Sequence, residues 1–223
     1  MSKNNLVFIT GFLCDSRIFK AQSLGLSHKV NTHIVEAINF NSLEEIIIHI
    51  NSTVKEPFIL GGHSLGAWVA IEYLKQHQYN VKKLLLMSSS AGEDDKQYER
   101  KRLEIIKQAR QGNVEHFLET LAKSFIYNES IYPDVLEMFK QNKASMEKQQ
   151  TMLLNRQNRL PFLKEISQSV LVLVGEYDDV FYDDTLLIAR TIKNATLQII
   201  QDAGHMITME SPDEVTHVIL DWI

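Results

Sequence analysis

Cysteine is nearly missing from this chain: Cys14 is the only one in 223 residues. A single thiol excludes an intrachain disulfide, a Cys-rich zinc site and an exported disulfide scaffold, so the expected home is a reducing cytoplasm. A surplus of basic charge is missing too, since 23 Lys and Arg stand against 28 Asp and Glu for a formal net charge of -5. That balance makes no field that would gather phosphates or anionic lipid, so neither nucleic acid nor a membrane is an expected partner. No segment approaches the roughly 20 apolar residues of a membrane span. Met1 to Thr10 also lacks a basic region followed by an apolar run and a small-residue cleavage site, and a soluble, unexported protein is expected. No linker, repeat or low-complexity segment interrupts the chain. What remains is an ordinary globular composition, 44% hydrophobic and 23% charged, long enough to bury a large core in one domain that carries an insertion.

Short apolar runs rich in β-branched residues recur at Leu6 to Thr10, His33 to Glu36, Phe58 to Gly61, Val81 to Ser88, Val170 to Val174 and Thr196 to Gln201. They read as strands buried on both faces. Helical patterns lie between most of them, the clearest beginning at Ser42, where Ser42 and Glu45 have capping-box spacing ahead of Ile46, Ile47 and Ile50. After Gly66, the residues Ala67, Ala70, Ile71 and Leu74 form one stripe, as do Val215, Val218, Ile219, Trp222 and Ile223 at the end of the chain. The expected class is α/β: a mostly parallel sheet of about six strands with helices on both faces. The alternation fails from about Gly92 to Arg159, where charged amphipathic stretches at Gln97 to Gln111 and Val114 to Phe125 look helical. Residues 92–160 are therefore expected to be a helical lid of three to four helices, inserted in a core made of 1–91 and 161–223. Gly112 should stop the first helix and Asn113 cap the second, while Pro133 and Pro161 punctuate later segments.

Gly62-His63-Ser64-Leu65-Gly66 is a Gly-x-Ser-x-Gly sequence. Alone it says little, because it should arise by chance in roughly one chain in fifteen. Its context says more: an apolar run leads directly into it and an amphipathic helix opens directly after it, the strand, sharp turn and helix of a nucleophile elbow. A strained turn brings neighbouring backbone very close, so side chains at Gly62 and Gly66 should collide with adjacent elements. The helix start offers unpaired N–H groups to an oxyanion, Leu65 N–H among them. A serine at its ordinary pKa needs a base, and the base an acid behind it. His205 follows the last expected strand and Asp178 follows the strand Val170 to Val174, so both belong to the rim where a parallel sheet gathers its strand C-termini. Asp179 is the nearest competitor to Asp178, and Glu176, Asp183 and Asp184 crowd the same loop. His63 adjoins the serine, but its side chain should point away and take a packing or supporting role. Cys14 reads as a small apolar filler, and Trp68 as core or pocket wall.

With these residues the chain resembles the α/β-hydrolases, specifically their small lidded carboxylesterases, over nearly its whole length and least in the lid. The order Ser64, Asp178, His205 is the family's order. Thr10-Gly11-Phe12-Leu13-Cys14-Asp15 resembles the loop whose backbone supplies the second oxyanion donor, which implies Phe12 or Leu13 for that role. Asp202-Ala203-Gly204-His205-Met206 and Glu210-Ser211-Pro212 resemble the catalytic-histidine loop and the start of the last helix. Three departures stand out: Thr10 replaces a frequent His, no Pro-Gly-x-Gly turn follows the second strand, and the usual two N-terminal antiparallel strands are missing, which makes this a shortened α/β-hydrolase fold.

The resemblance implies a serine hydrolase that cleaves a small or medium carboxylic ester through an acyl-enzyme on Ser64, with no metal or organic cofactor. Leu13, Phe117, Leu121, Phe125 and Met152 are the expected walls of an apolar pocket for a small-molecule acyl substrate. The protein is expected to work as a monomer or homodimer. A carbon–carbon bond hydrolase or elimination enzyme of the same fold is the nearer alternative, and a catalytically weak ligand-binding protein the more distant one.

Overall fold

The computed structural model describes residues 3–223. Six strands form one sheet: β1 (Asn4–Ile9), β2 (Val30–Val35), β3 (Phe58–His63), β4 (Val81–Met87), β5 (Ser169–Gly175) and β6 (Ala195–Ile200). Their spatial order is β2-β1-β3-β4-β5-β6, and every neighbouring pair is parallel. The five described residues Leu6 to Thr10 are wholly buried, as are Val170 and Val172 to Val174, because each strand of the sheet's middle is covered on both faces. Burial on both faces explains why these strands read as continuous apolar runs and not as alternating ones.

Connecting helices are α1 (Lys20–Gly25), α2 (Leu43–Thr53), α3 (Leu65–Gln76), α4 (Lys96–Gln111), α5 (Glu115–Ser124), α6 (Tyr132–Gln141), α7 (Met146–Leu154), α8 (Leu160–Leu163), α9 (Tyr182–Thr191), α10 (Ile207–Glu210) and α11 (Pro212–Trp222). The chain leaves β1 toward β2 and then crosses back to β3, so right-handed crossovers put α1 on one face and α2, α3 and α9 on the other. Helix α11 lies against α1 on the first face. Reversal of strand order between β1 and β3 creates a crevice above their C-terminal ends. The loop after β1 and the turn after β3 both open there.

Ser42 caps α2 as expected, its Oγ accepting from Glu45 N–H at 3.2 Å. The return arm differs: the Glu45 carboxylate accepts from Asn41 N–H at 2.7 Å, one residue before the capping-box position. Between β4 and β5 the chain forms the four helices α4 to α7 and the single turn α8. Asp95 caps α4 by accepting from both Gln97 N–H and Tyr98 N–H at 2.8 Å. Gly112 ends that helix at φ 75° in the left-handed region. Asn113 does not cap α5. Its own N–H is drawn back to Gln108 O at 3.1 Å, so it completes the end of α4, and Val114 takes the cap position without a side-chain bond. Thr10, at the place of the frequent family histidine, has its hydroxyl oxygen bound by Ala37 N–H at 3.0 Å and so closes the end of β2 against β1.

Candidate active site

Ser64 stands alone between the end of β3 and the start of α3, at φ 55° and ψ −117°. A non-glycine residue there is strained, and strain of about 1–3 kcal/mol persists only where surroundings enforce it. They do so through contact. A Cβ at Gly62 would run into the Gly66 carbonyl, and one at Gly66 would run into the backbone oxygens of Ile9 and Thr10. The turn is then held from β4: Ser64 N–H donates to Met87 O at 2.8 Å, and Ser89 Oγ donates to Ser64 O at 2.8 Å. Leu65 begins α3, so its N–H has no partner within the helix. Among the described residues neither Leu65 N–H nor Phe12 N–H donates to a protein group, whereas Leu13 N–H is bound to Gln149 Oε1 at 3.0 Å. Of the two candidates in the loop after β1, Phe12 is the one whose donor is free. Leu13 itself sits at φ 56°, and its carbonyl accepts from Asn142 Nδ2 at 3.1 Å.

Asp178 and His205 meet at the same rim. His205 Nδ1 lies 3.0 Å from Asp178 Oδ2, with both side chains fully buried. The other carboxylate oxygen accepts from Val180 N–H at 3.2 Å and Phe181 N–H at 3.0 Å. Burial alone would raise the Asp178 pKa, but the adjacent His205 charge and these hydrogen bonds outweigh it and hold the carboxyl at about 2. Asp179, Glu176, Asp183 and Asp184 are all exposed. A carboxylate bonded to Nδ1 fixes the tautomer that leaves Nε2 to act as a base. His205 Nε2 is buried and makes no hydrogen bond among the described residues, so its contact with the serine hydroxyl is open in this structure. Such contacts tighten when substrate arrives.

The imidazole is enclosed by rings. Phe125, Phe181 and His63 have centroids 4.3, 5.0 and 4.7 Å from it. His63 Nε2 donates to His205 O at 2.8 Å, so this ring braces the histidine loop. Burial drives its pKa down to about 3, helped by the neighbouring His205, so His63 is neutral. The His205 loop is further tied down from a distance: His205 N–H and Met206 N–H both donate to Phe125 O, at 2.9 and 3.1 Å. Glu210 accepts from Gly204 N–H at 2.9 Å, Tyr127 N–H at 2.6 Å and Asn128 N–H at 2.9 Å. In the sequence Glu210 stands only within the stretch that resembles the start of the last helix, and Gln149 carries no local signal at all.

A cavity of about 180 Å³ opens over the serine, lined by Phe12, Ser64, Leu65 and Trp68 from the core side and by Phe117, Leu121, Phe125 and Leu153 from the helices α5 and α7 and the residue after α5. Leu13 and Met152 do not belong to it. Leu13 is wholly buried, its backbone held by Gln149 and Asn142, and Met152 faces a separate cavity between α2, α3 and α7. The helical turn rotates neighbouring side chains by about 100°, so Leu153 faces the serine cavity in place of Met152. Cys14 is buried, its Sγ donating to Phe12 O at 3.3 Å, and burial pushes its thiol pKa far up, so it is a filler. Among the described residues no three His, Cys, Asp or Glu side chains cluster as a metal ion would need. No helix among them is long and apolar enough to cross a membrane.

The model of the alpha/beta hydrolase family matches residues 6–218, and the chain belongs to that family. Its fold is similar to that of an esterase from Thermogutta terrifontis solved with malate bound, with TM-score 0.86 and 22% identity over 99% of this chain and 89% of that one. MenH from S. aureus is similar at TM-score 0.85 and 24% identity, covering 99% of this chain and 93% of that one. So is the enol-lactonase from Burkholderia xenovorans, at TM-score 0.85 and 15% identity, with 99% and 91% covered. No curated protein matches the sequence.

Proposed function

We propose that the protein is a serine hydrolase acting on small or medium carboxylic esters, with Ser64 as nucleophile, His205 as general base and Asp178 as the acid that orients it. The observation that carries this reading is the buried Asp178–His205 pair, 3.0 Å between Oδ2 and Nδ1, with Nε2 left without a partner. Phe125 and Phe181, which sandwich that imidazole, also line the cavity into which Ser64 opens. Proton transfer needs the Ser64 Oγ within roughly 2.6–3.2 Å of Nε2, a contact that tightens when substrate binds.

In the first half-reaction Nε2 takes the hydroxyl proton as Oγ attacks the carbonyl carbon. The negative charge moves to the carbonyl oxygen, where Leu65 N–H and Phe12 N–H stand ready as donors. The imidazolium then gives its proton to the leaving alkoxide as the carbon–oxygen bond breaks, leaving an acyl-enzyme and a free alcohol. Water repeats the sequence, losing a proton to Nε2 as it attacks the acyl carbon, and Ser64 recovers its proton as the acid departs. Helices α4 to α7 act as a lid whose apolar face, through Phe117, Leu121 and Leu153, shields these charges from water. A cavity of about 180 Å³ suits a short acyl group, since an apolar cavity of about 150 Å³ accepts a benzene-sized guest.

Incubation with a fluorophosphonate probe and with 4-nitrophenyl esters of increasing acyl length tests the reading. Labelling at Ser64, a burst of nitrophenol and loss of both in Ser64→Ala are expected. An inert Ser64 would leave a ligand-binding protein, and labelling accompanied by cleavage of cyclic diketones but of no ester would move the reaction to carbon–carbon bonds.

A further inference from the structure

Three cationic side chains, Lys101, Arg102 and Arg156, face the otherwise apolar Ser64 cavity, and no carboxylate is among the residues lining it. Asp94 lies behind them, 4% exposed, and serves both guanidinium groups. Arg102 is nearly saturated: its Nε and Nη2 engage Asp94 and its Nη1 donates to Gln150 Oε1 at 2.9 Å. Arg156 is not. One of its nitrogens, Nη2, donates to Asp94 Oδ1 at 2.6 Å, while Nε is buried without a partner among the described residues. Its side chain is only 10% exposed, and burial pulls its pKa below the ordinary arginine value.

Asp184 adds a carboxylate charge from beyond ion-pair distance of Arg156, but two carboxylates against three cations leave the cluster under-compensated, and a buried donor without a partner is costly. As a strut between helices Arg156 would be redundant, because Arg102 already ties α4 to α7 through Gln150. The surplus charge is explained by a guest that brings an anion. Resting on the Ser64 reading, we propose that the substrate is an ester bearing its own carboxylate, such as the hemi-ester of a short dicarboxylic acid. The free carboxylate binds Arg156, with Lys101 adding attraction at the exposed mouth, where its Nζ lies 4.9 Å from the Tyr98 ring centre. The apolar wall takes the methylenes between the two ends, and the size of the cavity limits the diacid to about six carbons.

Monoethyl glutarate, diethyl glutarate and ethyl hexanoate, followed by proton release in a pH-stat, test the proposal on the intact protein. The hemi-ester should exceed the neutral esters about tenfold in kcat/KM, through KM, and the advantage should shrink with added salt. Arg156→Gln should bring that ratio to one or below, Arg156→Lys should restore part of it, and the exposed Lys101→Gln should lower it about twofold. Calorimetric binding of monoethyl glutarate to Ser64→Ala reads the same site without turnover, and binding should be lost on adding Arg156→Gln. Cleavage of the neutral esters with equal or poorer cleavage of the hemi-ester overturns this proposal and leaves the serine hydrolase standing. Cleavage of no ester, with Ser64 unlabelled, overturns the hydrolase, and the calorimetry then decides the anion site alone. Should Arg156→Gln fail to fold, an unchanged ratio in Lys101→Gln together with no salt dependence would overturn it.

Discussion

On the core side of the cavity, Gly62 and Gly66 leave no room for a methyl group, and Ser64 is fixed to the end of β4 and the loop after it by two bonds of 2.8 Å. On the helical side, Arg102, Gln150 and Arg156 reach inward on long stems, and α4 carries a single buried residue, Ile106, along sixteen positions. The contrast separates two tasks. Backbone in close contact sets the position of reacting atoms to a fraction of an ångström, whereas long side chains on a thinly buried element can be exchanged without disturbing it. On the proposed reading, chemistry belongs to the sheet rim and choice of substrate to the helices.

The largest effect expected from this division is on rate. Asp178→Asn should lower kcat by about 10⁴-fold by favouring the wrong histidine tautomer, while Asp179→Asn, one residue along and exposed, should leave kcat within about twofold. A crippling Asp179→Asn would mean that the buried pair is not the working one. Next comes acid sensitivity centred on His63. Unfolded, this imidazole binds a proton near pH 6.5, and folded it refuses one until about pH 3. The unfolded state thus holds more protons across that window, and stability should decline as pH falls through it, by up to about 5 kcal/mol. Urea titrations at pH 7, 6 and 5 should show the slope in the parent and a flatter one in His63→Asn.

Matched glycine substitutions compare the two sides directly. Gly66→Ala should destabilise by about 3 kcal/mol or more because its methyl meets backbone that cannot yield. Gly112→Ala has open space and only its left-handed φ against it, about 1 kcal/mol. Equal losses in urea unfolding would erase the distinction drawn here. The smallest effect concerns Gln149, which reaches from α7 to the loop after β1. Gln149→Leu should release Leu13 N–H and loosen the Phe12 donor, lowering kcat about tenfold with KM little changed and the pH profile unmoved. A change confined to KM would make Gln149 a wall of the pocket and nothing more.

The four inner strands were legible because burial on both faces forces apolar, β-branched runs, the edge strands β2 and β6 because their β-branched residues persist under partial exposure, and the elbow because its glycines, strand and helix are consecutive in sequence. His205 and Asp178 were legible through position at strand ends, since a parallel sheet gathers those ends whatever the chain does between them. Asn113 misled because a capping residue and the close of the preceding helix compete for one short turn, and there the backbone of α4 won. Met152 and Leu13 were assigned to the cavity from apolarity, which says that a side chain is buried but not which way it faces. Gln149 and Arg156 were out of reach for another reason: their partners, Leu13 and Asp94, lie 136 and 62 residues away, and no local pattern encodes a polar contact made across the fold.

Glu210 ties the peptide after Phe125 to the same carboxylate that grips Gly204, and Phe125 O takes two more bonds from His205 and Met206. The helical cap and the imidazole are thereby riveted at one corner. Of the helices over the cavity α4 is the least anchored, with one buried residue in sixteen positions, so on the proposed reading an opening that keeps the base aimed falls there and not at residues 125–128. A guest entering on that side would pass Lys101 on its way to the serine.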